Sequence, residues 1–161
     1  MKKILSILAV VFIVILGTVG CKKSNTALPI NTISHWELDG KSDTGTTTLY
    51  SDQQNYISSN QYISDTITNV LAVQFSAKPT TNAKFAVVGA GITPNSKECA
   101  ILGITVTPST ASIINIQSIG NAGDSVTVAI VDGKITATFS NIEIQDKGIF
   151  YSLISGVLIQ Q

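Results

Sequence analysis

Residues 32–161 predict an all-β domain, an antiparallel β-sandwich of about nine short strands with a flattened barrel as the alternative. Three observations carry this prediction. From Ile33 onward Ile, Val and Thr dominate, and apolar residues recur at every second position, the spacing of a strand with one buried face. No stretch rich in Ala, Leu, Glu and Lys carries apolar residues at helical spacing. The short apolar runs are separated by Pro79, Gly89 to Gly91, Pro94-Asn95, Pro108 and Gly120 to Gly123, residues that break strands and form turns.

The clearest element is Ser125 to Ser140, where Asp132-Gly133 separates two alternating runs as a two-residue hairpin turn does. A type I′ turn there sets Val131 opposite Lys134, Ile130 opposite Ile135, Val128 opposite Ala137 and Val126 opposite Phe139. The last three pairs share an apolar face. The other face carries Ala129 with Thr136 and Thr127 with Thr138 beside Val131 and Lys134, a more polar set suited to partial exposure. A second Asp-Gly, Asp39-Gly40, follows Ile33 to Leu38. Alternation there puts Ser34, Trp36 and Leu38 on one side, with Trp36 as a core anchor, and Ile33, His35 and Glu37 on the other. Further strands are expected at Val70 to Ser76, Lys84 to Val88, Ala100 to Thr107, Ile113 to Ile119, Ile142 to Gln145 and Phe150 to Ile159. About nine strands in this length fit a sandwich or barrel.

Composition narrows the functions available. The chain has 161 residues, 10 Lys and no Arg against 10 acidic residues, one His and two Cys. Without net positive charge or arginine, which grips phosphate bidentately, nucleic acid is not an expected partner. One His and two Cys do not build a structural zinc cage, and no cofactor is expected.

The N-terminus reads as an address. Met1-Lys2-Lys3 is a short basic region, and Ile4 to Val19 is an apolar run of 16 residues leading into Gly20-Cys21. That run is shorter than the roughly 18 residues of a spanning helix, the competing reading. Val19-Gly20-Cys21 after such a run resembles the bacterial lipobox, with Thr18 at the position usually held by Leu. The resemblance implies a signal peptide over 1–20, cleavage after Gly20 and a diacylglyceryl group on the sulfur of Cys21, which then anchors the protein in a membrane. Two or three acyl chains hold a protein stably where one does not. Residues 21–31 then form the lipidated cysteine and a flexible tether; the ten residues from Lys22 to Asn31, fully extended, reach about 33 Å. Removing residues 1–20 takes two lysines away, leaving 8 Lys against 10 acidic residues and a charge of about −2.

The whole chain also resembles the small uncharacterised cell-envelope lipoproteins of Bacteroidetes-type bacteria. The resemblance rests on Cys21-Lys22-Lys23, Trp36 to Gly40, Phe75 to Pro79, Asp132 to Ile135, Phe139 to Ile142 and Leu153 to Gly156, in that order. It implies an outer-membrane lipoprotein with an all-β domain and carries over no catalytic residue. Lys22-Lys23-Ser24-Asn25 lacks the acidic residues that tend to follow the cysteine of surface-exported members, so the periplasmic and surface faces both stay open.

Catalytic readings find little support. A nucleophile–histidine arrangement needs His35, which flanks Trp36 in a predicted strand. A small carbohydrate-active hydrolase needs two facing carboxylates, for which Glu37, Glu98 and Glu143 are the candidates. Asp39 to Gly45 has oxygen-bearing side chains but lacks the remaining ligands of a calcium loop, so a solvated turn is the plainer reading. Cys99 reads as a small buried hydrophobe. The best binding candidate is Tyr50 to Tyr62, where Tyr50, Tyr56, Tyr62 and Asn60 stand among Gln53, Gln54, Asn55 and Gln61. Aromatic faces beside amides suit a sugar or other polar ligand. The competing reading, favoured by the usual placement of tyrosines, has the rings covering a sheet edge around a polar loop. The sequence thus leads to a non-enzymatic, lipid-anchored envelope protein that binds a glycan or an envelope protein.

Overall fold

The computed structural model describes residues 33–64, 67–89, 91–107, 112–146 and 149–161. The signal segment 1–20, Cys21 and the tether through residue 31 lie outside the described residues, as does Pro108. Among the described residues eleven strands follow one another: β1 (His35–Leu38), β2 (Lys41–Thr44), β3 (Thr47–Ser51), β4 (Tyr56–Ser64), β5 (Ile67–Phe75), β6 (Ala83–Val87), β7 (Glu98–Thr107), β8 (Ser112–Ser118), β9 (Ser125–Val131), β10 (Lys134–Asp146) and β11 (Ile149–Ile159). They make one mixed sheet in the order β2-β1-β11-β10-β9-β6-β7-β5-β4-β3, with β8 paired to both β10 and β7. The domain is all-β, as expected.

The β9–β10 hairpin has the predicted register pair for pair, from Lys134 opposite Val131 to Phe139 opposite Val126. Asp132 and Gly133 both take positive φ, 51° and 75°, which a type I′ turn requires. Val126, Val128, Ile135, Ala137 and Phe139 are buried, while Thr127, Val131, Lys134 and Thr138 are exposed. Asp39 and Gly40 repeat the device, at φ 52° and 72°, and join β1 to β2. Ser34 and Trp36 face inward and His35 and Glu37 outward, as alternation implies.

Three expectations need correction. The strands number eleven because residues 41–64, too polar to show apolar alternation, form β2, β3 and β4. The expected strands at 134–140 and 142–145 are one strand, β10, bent by a bulge at Asn141 (φ 53°) whose amide donates to Ser155 Oγ at 2.8 Å. The pairing is not antiparallel throughout, since β6 and β7 run parallel at Ala86–Val87. Beyond that short pairing β6 leaves β7, and β8 takes its place. The backbone groups stranded at this junction are met by one buried hydroxyl: Ile101 N–H donates to Ser118 Oγ (3.1 Å), which donates to Val88 O (2.6 Å).

A single core fills the interior, built from Trp36, Ile57, Leu71, Val73, Phe75, Phe85 and the buried residues of β7 to β11. Phe75 and Phe85 meet edge to face with centroids 4.9 Å apart, the arrangement the ring quadrupoles favour. The sheet curls until its two ends meet. Gly45, between β2 and β3, donates its N–H to Ser34 O (2.8 Å), Thr46 N–H to Asn60 O (2.8 Å) and Gln161 N–H to Thr48 O (3.0 Å). A Cβ at Gly45 would lie 1.8 Å from Ser59 Oγ, so only glycine fits this crossing.

Candidate functional site

Strand β4 alternates cleanly: Ile57 and Ser59 are buried, whereas Tyr56, Ser58 and Asn60 are half-exposed and Tyr62 is 63% exposed. Tyr56, Asn60 and Tyr62 therefore share the outer face. Tyr50 on β3 does not. It pairs with buried Ile57, packs against the core and belongs to the inner face. Lys78 Nζ stands 4.9 Å from its ring centroid and 3.2 Å from Asp52 Oδ1. Burial, followed by the Asp52 charge, pushes the Tyr50 hydroxyl up to about 12. That hydroxyl is buried with no hydrogen-bond partner among the described residues.

Tyr56 opens into a groove of about 600 Å³ beside Gln53, Gln54, Gln74, Ile92 and Leu102. Two elements hold the wall in place. The β3–β4 turn ends on Asn55 at φ 54°, whose Nδ2 donates to Ser76 O (3.2 Å) while Phe75 N–H donates to Asn55 O (2.8 Å). The Lys78–Asp52 pair then ties the same turn to the segment after β5. None of the residues lining the groove is charged. Gln53, Gln54 and Tyr56 stand together in the sequence, but Gln74 and Leu102 reach the groove only through the β4–β5 and β5–β7 pairings, Ile92 comes from the segment between β6 and β7, and no sequence signal marks them.

The carboxylates considered for hydrolysis occupy three different settings. Glu98 Oε2 accepts Asn95 N–H at 3.0 Å and closes the turn before β7. Glu143 accepts Asn121 Nδ2 at 2.5 Å and fixes the loop before β9. Glu37 lines a second groove, about 490 Å³, with Asp39, Asn141 and Ser155. His35 is exposed on β1, its Nδ1 3.4 Å from Ile33 O. Asp39 to Gly45 is the β1–β2 turn and β2 itself, with Asp43 Oδ2 accepting from Asn69 Nδ2 at 3.4 Å. Among the described residues no group of three or more His, Cys, Asp and Glu side chains is placed to hold a metal. Cys99 is fully buried, and loss of hydration pushes its thiol up to about 12.

No known protein family, curated protein or solved structure matches the chain.

Proposed function

We propose that this protein is a lipid-anchored, non-enzymatic binding module of the bacterial cell envelope, held in the outer membrane through Cys21, and that the Tyr56 groove takes an uncharged polar ligand. The observation that carries the reading is the lining of that groove: one half-exposed aromatic ring, several primary amides and no charge. A ring face stacks on the apolar face of a sugar, and amides donate to and accept from hydroxyls without demanding a counter-charge. Phosphate or carboxylate would find no cation there. The turn that carries the wall is pinned from two sides, so little ordering is left to be done on binding.

The test is thermal unfolding of the full-length protein in detergent against neutral glycans, peptidoglycan fragments, calcium and small hydrophobic ligands. A ligand at 100 times its Kd adds about 2.7 kcal/mol to the native state. The expected result is a raised midpoint with a neutral glycan, absent in Tyr56→Ala; shifts only with charged or hydrophobic compounds would refute the reading. The anchor is tested separately. Cys21→Ser is expected to abolish both acyl-label incorporation and signal cleavage, and unchanged labelling would remove Cys21 from the proposal.

A further inference from the structure

Resting on that reading of the groove, we infer that the ligand is an extended, uncharged polysaccharide chain lying along β4, with Tyr56 and Tyr62 as two separate stacking stations. Tyr56, Ser58, Asn60 and Tyr62 occupy alternate positions of one strand, so their side chains rise from the same outer face in a straight row. Six residues at about 3.3 Å per residue put the two rings about 20 Å apart. That is too far for one monosaccharide to touch both. Between them stand a hydroxyl and an amide, Ser58 and Asn60, spaced to meet the hydroxyls of intervening sugars.

The flanks of the row match its chemistry. Tyr56 lies between Ser51 and Gln74, Ser58 between Leu49 and Ala72, Asn60 between Thr47 and Val70, and Tyr62 beside Thr68. No charged side chain occurs in these four rows, although the chain as a whole carries 20 ionisable Lys, Asp and Glu residues. Lys78 and Asp52, which stand close in sequence to the lining residues Ser76 and Gln53, are paired with each other. An anionic polymer would have nothing to bind, and a face that alternates ring, hydroxyl, amide and ring suits a repeating polar chain. Exposed Leu49, at 58%, adds an apolar border on which a sugar's C–H face can rest.

Ligands long enough to reach both rings gain from the second contact through effective concentration rather than through a stronger site. The full-length protein in detergent is therefore titrated with disaccharide-to-hexasaccharide ladders of glucan, mannan, xylan and N-acetylglucosamine chains, with a polyuronate as the anionic control. In one neutral ladder, affinity is expected to rise by about tenfold or more from the shortest to the longest member. Tyr62→Ala, at an exposed position, is expected to erase that rise. Tyr56→Ala weakens every length. A disaccharide that binds as tightly as the hexasaccharide would overturn the extended ligand while leaving the groove reading intact. Binding of the polyuronate alone, or of nothing in the neutral ladders, would overturn both. Self-association lost in Leu49→Asp would assign this face to a second copy of the chain and overturn the inference as well.

Discussion

Trp36→Ala is expected to cost about 3–5 kcal/mol, the usual range for removing a large aromatic side chain from a packed core. Trp36 is 4% exposed and sits where β1 closes onto β11, opposite Gly156. On the other side of Gly156 stands buried Phe139 of β10, so the glycine separates two large aromatic residues in one row across three strands. The approach is close: a Cβ at position 156 would lie 2.7 Å from Trp36 Cβ and 2.8 Å from His35 O. Collapse into the hole left by the indole is therefore limited by a backbone already in contact. Domains are commonly stable by only 5–15 kcal/mol, so a loss of this size takes much of the total. Urea unfolding measures it, and a loss below about 1 kcal/mol would show that the ring does not anchor the strand. Gly156→Ala, which pushes on the same contact, is expected to be non-additive with it.

Ser34→Ala is expected to produce the second-largest effect, through hydrogen bonds rather than volume. Ser34, Thr48 and Ser59 are each fully buried, and their hydroxyls lie in a chain. Ile159 N–H donates to Ser34 Oγ at 2.7 Å, Ser34 and Thr48 are 2.6 Å apart, and Thr48 donates to Ser59 at 2.8 Å. Each hydroxyl has one proton. Since Thr48 gives its proton to Ser59, Ser34 must donate to Thr48, and the chain has a single direction. Removing Ser34 Oγ leaves the Ile159 amide without its acceptor and Thr48 without its donor, at about 1–3 kcal/mol for an orphaned buried group. Thr48→Val, which keeps the shape, breaks the same chain further along. A double-mutant cycle of the two is expected to show coupling of about 0.5–3 kcal/mol. Amide exchange at Ile159 and Gln161 is expected to accelerate ahead of the core; equal exchange in variant and parent would refute the role of the chain.

The parts of the fold legible in the sequence are those where one local rule suffices. Asp132-Gly133 sets both turn and register, and only one register buries Val126, Val128, Ile135, Ala137 and Phe139 together. The face of β1 follows from the same alternation. Strands β2, β3 and β4 escape that rule because their inward side chains are largely polar. Thr48 and Ser59 face inward but satisfy each other and Ser34, so hydroxyls stand where apolar residues are sought. The bulge that makes β10 one strand depends on Ser155 in β11, and the parallel β6–β7 pair depends on where β9 lies. Neither partner is near in sequence. The binding candidate divides in the same way. The aromatic and amide cluster around Tyr56 is visible as a run of residue types, whereas the separation of Tyr50 from Tyr56 follows only once β3 and β4 are known to be strands.

The meeting of the sheet's two ends also sets when this domain can finish folding. The bond between Ile159 and Ser34 spans 125 residues, and β1 finds its larger partner only in β11, the final strand of the chain described. Contacts this distant in sequence come late and slow the search for the native state. Until β11 is in place, β1 and β2 form a two-stranded hairpin, which on its own is marginally stable at best in water. The β9–β10 hairpin is local and forms early by comparison. The β3–β4 and β4–β5 pairings are local too, so the N-terminal hairpin, waiting on the far end of the chain, is expected among the last pieces to be captured.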